Sequence, residues 1–147
     1  MAQSAVGAME SRPKFRFMDL EIWHDAIEIG TVLFKLADDL ESKRLYKFAE
    51  ELRAAGLSMS NNIAEGSGSN SKKEFLSFLN ISRRSTFENA NILIVMEQLN
   101  LVGVTLLLQK LDHLCRRITK LSANFEKLTW LSIFAVAGFS GILQIVQ

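Results

Sequence analysis

The sequence predicts an all-α protein: an antiparallel up-down four-helix bundle whose last helix runs on into a C-terminal helical extension. Three observations predict it. Four successive stretches repeat their apolar residues at intervals of three and four, the period of a helix that buries one stripe. The links between these stretches are short, as they are between antiparallel neighbours in a bundle. No stretch alternates apolar and polar residues like a strand, and no segment is repeated. A chain of 147 residues is long enough for one domain with a real core.

Residues 1–16 are expected to form a flexible N-terminal segment, with the bundle spanning 17–127. Helix one is expected from Asp19 to Leu40, where Ile22, Ala26, Ile29, Leu33, Leu36 and Leu40 step by 4, 3, 4, 3 and 4. Leu20, Trp23, Ile27 and Phe34 widen this stripe. Such a broad apolar surface suits a helix that also meets a second molecule. Helix two fits Lys43 to Glu65, with Leu45, Phe48, Leu52, Ala55, Met59 and Ile63 as its seam. Gly66 and the following Ser67-Gly68-Ser69-Asn70 read as a C-terminal cap and turn. Ser71-Lys72-Lys73-Glu74 then has the capping-box form, in which Ser71 serves the first free N–H groups and Glu74 reaches back.

Helix three should run from there to about Asn100, on Phe75, Phe78, Ser82, Ser85, Asn89, Ile92, Met96 and Leu99. Its three central members are small and polar. Buried, they need partners, so they either fix register and oligomeric state or line a polar spot. Leu101-Val102-Gly103 reads as a short connection. Val104, Leu107, Leu111, Leu114, Ile118, Leu121, Phe125 and Leu128 then give helix four the most regular seam of all.

No Gly or Pro stands between Val104 and Ala137, so nothing stops helix four at the bundle's end. Residues 128–147 carry no charge and 13 of the 20 are apolar, Trp130, Phe134, Phe139, Ile142 and Ile145 among them. A helix of that composition is too apolar to stay solvated alone. Its apolar sides are expected to pack on sister tails or other chains of an oligomer. The alternative is a membrane-associated oligomer anchored by this segment: twenty uncharged residues are about the minimum for a span, and Lys120 and Lys127 precede it as in a tail anchor. Two Gln, two Ser and one Thr make it a poor span.

Composition narrows the class further. Hydrophobic residues make up 48% of the chain, which excludes a disordered segment. A single cysteine, Cys115, excludes a disulfide scaffold and any Cys-based zinc site closed within one chain. The first eighteen residues lack the apolar run of a signal peptide, so a cytoplasmic setting is expected. The net charge of +1 conceals a cancellation, since residues 19–42 sum to −6 and residues 102–127 to +3. The simplest use of that asymmetry is attraction between helices one and four, within or between chains.

No enzyme chemistry assembles. The chain has no phosphate-binding loop, dinucleotide fingerprint or nucleophile elbow. Glu21-x-x-His24 looks like half of a di-metal carboxylate site, but the other histidine, His113, has Lys110 three residues before it. Neither a metal nor another cofactor is expected, and Cys115 reads as a small core residue rather than a nucleophile. What remains is basic: Lys72 and Lys73, Arg83 and Arg84, and Arg116, Arg117 and Lys120 are the candidate nucleic-acid contacts, arginine being able to hold phosphate bidentately. The acidic helix one competes for the same cations.

Two stretches carry a family resemblance. Phe17-Met18-Asp19-Leu20-Glu21-Ile22-Trp23 opens helix one, and Leu52-Arg53-Ala54-Ala55-Gly56-Leu57-Ser58-Met59-Ser60-Asn61-Asn62-Ile63-Ala64-Glu65-Gly66 leads to Ser71-Lys72-Lys73-Glu74-Phe75-Leu76-Ser77-Phe78-Leu79. Over about residues 15–127 the chain resembles the bacterial four-helix-bundle proteins encoded in 23S rRNA intervening sequences, which are similar in fold to the accessory variability proteins of diversity-generating retroelements. The resemblance implies a homopentameric ring without known enzyme activity. In the retroelement branch it implies binding of nucleic acid and of a reverse transcriptase through a strongly basic surface. Five copies of a modest basic patch around a ring make a substantial field. This chain departs from the pattern at Ala54 and at Ser69-Asn70, where the family often has basic residues, and it has Ser60 in place of Pro and Arg84 in place of Gly.

Within the motif, Arg53, Asn62, Glu65, Gly66, Ser71 and Glu74 are read as a structural corner between helices two and three. A carboxylate in the last turn of a helix opposes the helix dipole, so Glu65 is expected to have a specific partner, such as Arg53 or an arginine of another helix or chain.

Overall fold

The computed structural model describes residues 13–143, with side chains through Leu128. The described residues contain a 3₁₀ turn, Arg16–Asp19, and four α-helices: α1 Glu21–Ser42, α2 Tyr46–Gly68, α3 Lys72–Gln98 and α4 Thr105–Leu143. No strand occurs among them. The helices form a four-helix bundle in which α1 packs on α2, α2 on α3, α3 on α4 and α4 back on α1. Partner numbers fall along one helix as they rise along the next. Gly30 lies against the Gly56 carbonyl while Asp38 meets Arg53, and Ser58 meets Ser85 while Gly66 meets Phe78. Trp130, Phe134, Phe139 and Ile142 fall on the backbone of α4, but their side chains, and all of Ile145, lie outside the described residues.

Ile29, Leu33, Leu52, Met59, Ile63, Leu93, Leu114 and Ile118 form the fully buried centre. Each such side chain contributes about 1.5–3 kcal/mol by leaving water. The seams differ from expectation where helices come closest. Ala37 is buried in α1 and Leu36 only partly; Ala49 is buried in α2, with Leu45 and Phe48 at its edge. A straight helix drifts by about 20° per heptad from a strict seven-residue repeat, which moves the stripe onto the neighbouring alanine.

Two helix ends also differ. Helix one continues to Ser42, and Arg44, expected inside helix two, instead has φ 63°. Its N–H bonds the Glu41 carbonyl while Leu45 N–H reaches Leu40 O, the paired bonds of a Schellman stop with a left-handed fifth residue. Asn100 repeats this device at the end of α3: φ is 55°, Asn100 N bonds Glu97 O, and Leu101 N bonds Met96 O. Gly103 takes no positive φ, so the α3–α4 turn rests on Asn100.

The third difference is Gly66. The cap and turn expected at Gly66-Ser67-Gly68 are absent because α2 runs through them to Gly68, with no glycine at positive φ. A Cβ on Gly66 would stand 2.6 Å from Phe78 Cβ and 2.9 Å from Phe75 Cδ2. Glycine is required here by helix–helix distance, not by backbone conformation.

Candidate nucleic-acid interface

The acidic α1 and basic α4 do meet. Arg117 Nη1 donates to Asp25 Oδ2 at 2.5 Å and its Nη2 to Glu21, and Lys110 pairs with Glu28. These contacts close the bundle between its first and last helices. Arg116 is occupied within its own helix, Nε donating to Asp112 Oδ2 at 2.7 Å. Lys120 shares a cavity of about 360 Å³ with Asp19, Glu21, Arg117 and Asn124. The three α4 candidates therefore stand beside carboxylates.

The α3 candidates differ in making no ion pair among the described residues. Lys72 and Lys73 open the helix and are exposed, and Arg84 is exposed in its middle. Arg83 is half-buried, its guanidinium 5.8 Å from the centre of the Phe87 ring and its Nη2 donating to Asn80 Oδ1 at 3.2 Å. None of the four has an ion pair among the described residues. Eleven residues separate Lys72 from Arg83 and Lys73 from Arg84, which on a helix places each pair about 20° apart around the axis and about 16 Å apart along it. The four cations thus form two rows on one face.

The motif residues separate into different roles. Arg53 does not reach Glu65: twelve residues on one helix place them about 18 Å apart. Its Nη2 instead donates to Asp38 Oδ1 and Glu41 Oε2 of α1, both at 2.6 Å, and these bonds, that to Asp38 foremost, hold the guanidinium above its ordinary pKa. Glu65 is exposed and has no hydrogen bond or ion pair among the described residues, so neither Arg53 nor another described residue of its own bundle is its partner. Asn62 also lies away from the corner. Its Nδ2 donates to Ser58 O at 2.7 Å and to Ser58 Oγ at 3.0 Å.

Ser58 leads into the polar seam of α3. Its Oγ lies 2.8 Å from Ser85 Oγ, Ser82 Oγ donates to Met59 O at 2.8 Å, and Asn89 Nδ2 donates to Ser85 O at 2.8 Å. The three polar residues read from the seam are buried. Among these seam residues only Asn89 Oδ1 lacks a partner within the described residues, a cost of about 1–3 kcal/mol for a buried acceptor. At the α2–α3 corner itself, Ser71 Oγ accepts from Glu74 N at 3.4 Å. Glu74 does not return to the Ser71 backbone as the capping box requires, because its Oε2 accepts from Ser69 Oγ at 2.5 Å; Ser71 N donates to Ser69 Oγ.

Arg16 was not singled out by sequence. The last residue of the presumed flexible segment, it donates from Nη1 to Ser67 O at 2.8 Å and so ties the 3₁₀ turn to the end of α2. The only available signal was the cluster Arg12, Lys14 and Arg16, which names no partner. His24 donates Nε2–H to Met18 O at 2.8 Å, and among the described residues no group of three or more His, Cys, Asp or Glu side chains can hold a metal.

Fold and surface together define an all-α bundle protein with charge-paired first and last helices and a third helix whose cations make no ion pair among the described residues. The chain belongs to the 23S rRNA-intervening sequence protein family, whose sequence model matches residues 18–124. It is not a known enzyme family. Neither the comparison with curated proteins nor that with solved structures returns a match. Among the described residues no helix is long and apolar enough to cross a membrane.

Proposed function

We propose that the chain is a non-enzymatic, homo-oligomeric scaffold, a pentameric ring of up-down bundles, that holds RNA or DNA against α3. The observation that carries this reading is the division of the cations. On α4, Lys110, Arg116 and Arg117 are ion-paired and Lys120 shares a cavity with Asp19 and Glu21, whereas Lys72, Lys73, Arg83 and Arg84 have no ion pair among the described residues. Phosphate backbones bind where unneutralised Lys and Arg are gathered, and a ring multiplies a patch of four by its number of subunits.

A second copy of the chain is the occupant we assign to the α1–α2 face. Ile27, Phe34 and Leu57 are exposed there at 41%, 37% and 47%, and Phe34 leans over Gly56, where α1 and α2 lie close enough for Gly30 to face the Gly56 carbonyl. Reversed numbering along each pair of neighbours supports the up-down order. Light scattering tests the ring: about five times the 16.5 kDa chain mass is expected, and a monodisperse monomer at micromolar concentration overturns the oligomer. A salt titration of RNA and DNA binding tests the face. The logarithm of affinity should fall with that of salt by about 0.9 per neutralised phosphate on duplex DNA, and weak, salt-insensitive binding to both overturns it.

A further inference from the structure

A cavity of about 310 Å³ opens at the end of the bundle, where the 3₁₀ turn, the end of α2, the α2–α3 turn, the start of α3 and α4 meet. Its two charged wall residues are cations, Arg16 and Lys72, and no carboxylate lines it. Ser67 fixes Arg16 by its carbonyl on Nη1, which leaves Nη2 and Nε to point elsewhere; Lys72 has no ion pair among the described residues. The nearest carboxylate bonded to the wall, Glu74, is held by Ser69 Oγ. Ser71 Oγ accepts from Glu74 N and retains its own proton to donate. Opposite this polar side stand Phe75 and Phe125, half-buried and edge to face with ring centres 5.4 Å apart.

We propose that this cavity binds a 5′-phosphorylated nucleoside, with the phosphate between Arg16 and Lys72 and the base on the Phe75–Phe125 pair. Two cations with no acid in the wall select a dianion, and Arg offers the fork that phosphate oxygens match. An aromatic shelf beside them selects a flat ring over a bare ion, and it is tolerant of base identity because every base has a π-face. The volume lies at the lower limit of about 300 Å³ for ligand pockets, enough for one nucleotide and not for a run of strand. The same chemistry is offered by a free nucleotide and by the 5′ end of an RNA. The inference rests on and deepens the nucleic-acid reading, and it shares Lys72 with the α3 face while drawing Arg16 and the aromatic pair from outside it.

The test uses the full chain and two 3′-fluorescent hexanucleotide RNAs of one sequence, one with a 5′-phosphate and one with a 5′-hydroxyl, followed by polarisation. The phosphorylated RNA should bind at least tenfold more tightly. R16Q, compared at a temperature where its melt shows it folded because it gives up the bond to Ser67 O, should collapse that ratio toward one while leaving the hydroxyl RNA within twofold; K72A, which also removes one cation from the α3 face, should collapse the ratio and weaken the hydroxyl RNA no more than R84A does. R84A should weaken both RNAs alike and keep the ratio. Competition by a nucleoside 5′-monophosphate at concentrations where inorganic phosphate is inert identifies the free nucleotide as ligand; competition by the phosphorylated RNA alone identifies the strand end. Equal binding of the two RNAs, or a ratio unchanged in both R16Q and K72A, overturns the proposal while the α3 face stands. A preserved ratio with R84A inert overturns the α3 face and leaves the cavity. No binding of either RNA or of the monophosphate overturns both.

Discussion

Replacing Gly66 by alanine separates the two roles a glycine can have at this corner of the bundle. The backbone at Gly66 is helical, so alanine itself fits and should gain about 1 kcal/mol from helix propensity. Against this, the new methyl would stand 2.6 Å from Phe78 Cβ, an atom fixed to the α3 backbone rather than the end of a flexible side chain. Relief requires α2 and α3 to move apart. Overpacking of a tight contact costs about 1–3 kcal/mol, and a contact this short belongs at the upper end. The net expectation is a loss of about 2 kcal/mol, which for a chain of this length lowers Tm by about 8 °C. Gly68→Ala is the control: nothing lies within 4 Å of its added carbon, and its φ is not positive, so stability should hold or rise by about 0.5 kcal/mol. Thermal melts followed by circular dichroism at one fixed protein concentration read both, concentration being held because association shifts Tm. A Gly66→Ala variant as stable as the parent would refute the argument that helix–helix distance dictates this residue.

Arg44 occupies a left-handed position that costs a non-glycine residue about 1–2 kcal/mol, so Arg44→Gly should raise stability by about 0.5–1 kcal/mol in urea unfolding, despite introducing a more flexible residue; a loss would contradict the Schellman stop. Arg117→Glu should destabilise the α1–α4 seam by about 1 kcal/mol, discounted for the exposure of Glu21, and the second change Asp25→Lys should restore most of it; the deficit should shrink in high salt, and additive losses would contradict a direct pair. Asn89→Leu removes the unpartnered Oδ1 and should stabilise the chain by up to about 1 kcal/mol. If Asn89 sets oligomeric state, the same variant changes the mass in light scattering, and an unchanged mass assigns it to the core alone. Arg84→Ala should lower the slope of log affinity against log salt by about one per contact without altering sequence preference.

The helices were legible because each had to bury one stripe, and the 3–4 spacing of apolar residues states that requirement directly. Their ends were less so. Arg44 and Asn100 stop helices by adopting a conformation that only local hydrogen bonds reveal, whereas Gly66, which looks like a stop, lies within a helix. The polar seam of Ser82, Ser85 and Asn89 was readable as buried, since heptad spacing placed it inward. Its partners were not, because they sit on α2: Ser58, and the carbonyl of Met59. Glu65 shows the limit of an argument from the helix dipole: its position calls for a cation without saying where one sits, and Arg53, the partner nearest at hand in the motif, is drawn to Asp38 and Glu41 instead. Arg16 escaped notice because its role depends on a carbonyl 51 residues away.

Charge pairing across the bundle has a consequence for where a polyanion can sit. Sequence ranks Arg116, Arg117 and Lys120 with the α3 cations, and by segment sum α4 is the more basic helix. The fold reverses that order. α1 brings Glu21, Asp25 and Glu28 to α4, and a polyanion approaching there would have to displace carboxylates already bonded to Arg117 and Lys110. α3 packs between α2 and α4, away from α1, and its own acids Glu74, Glu88 and Glu97 make no ion pair with its cations among the described residues. On the proposed reading, the bonds that close the first helix onto the last also leave the third as the place for phosphate, and loosening the α1–α4 seam should free Arg117 as a competing site. In Glu21→Gln/Asp25→Asn, nucleic-acid affinity should rise at low salt even as the bundle loses stability; a fall in both would mean that the ring, rather than the freed charge, governs binding.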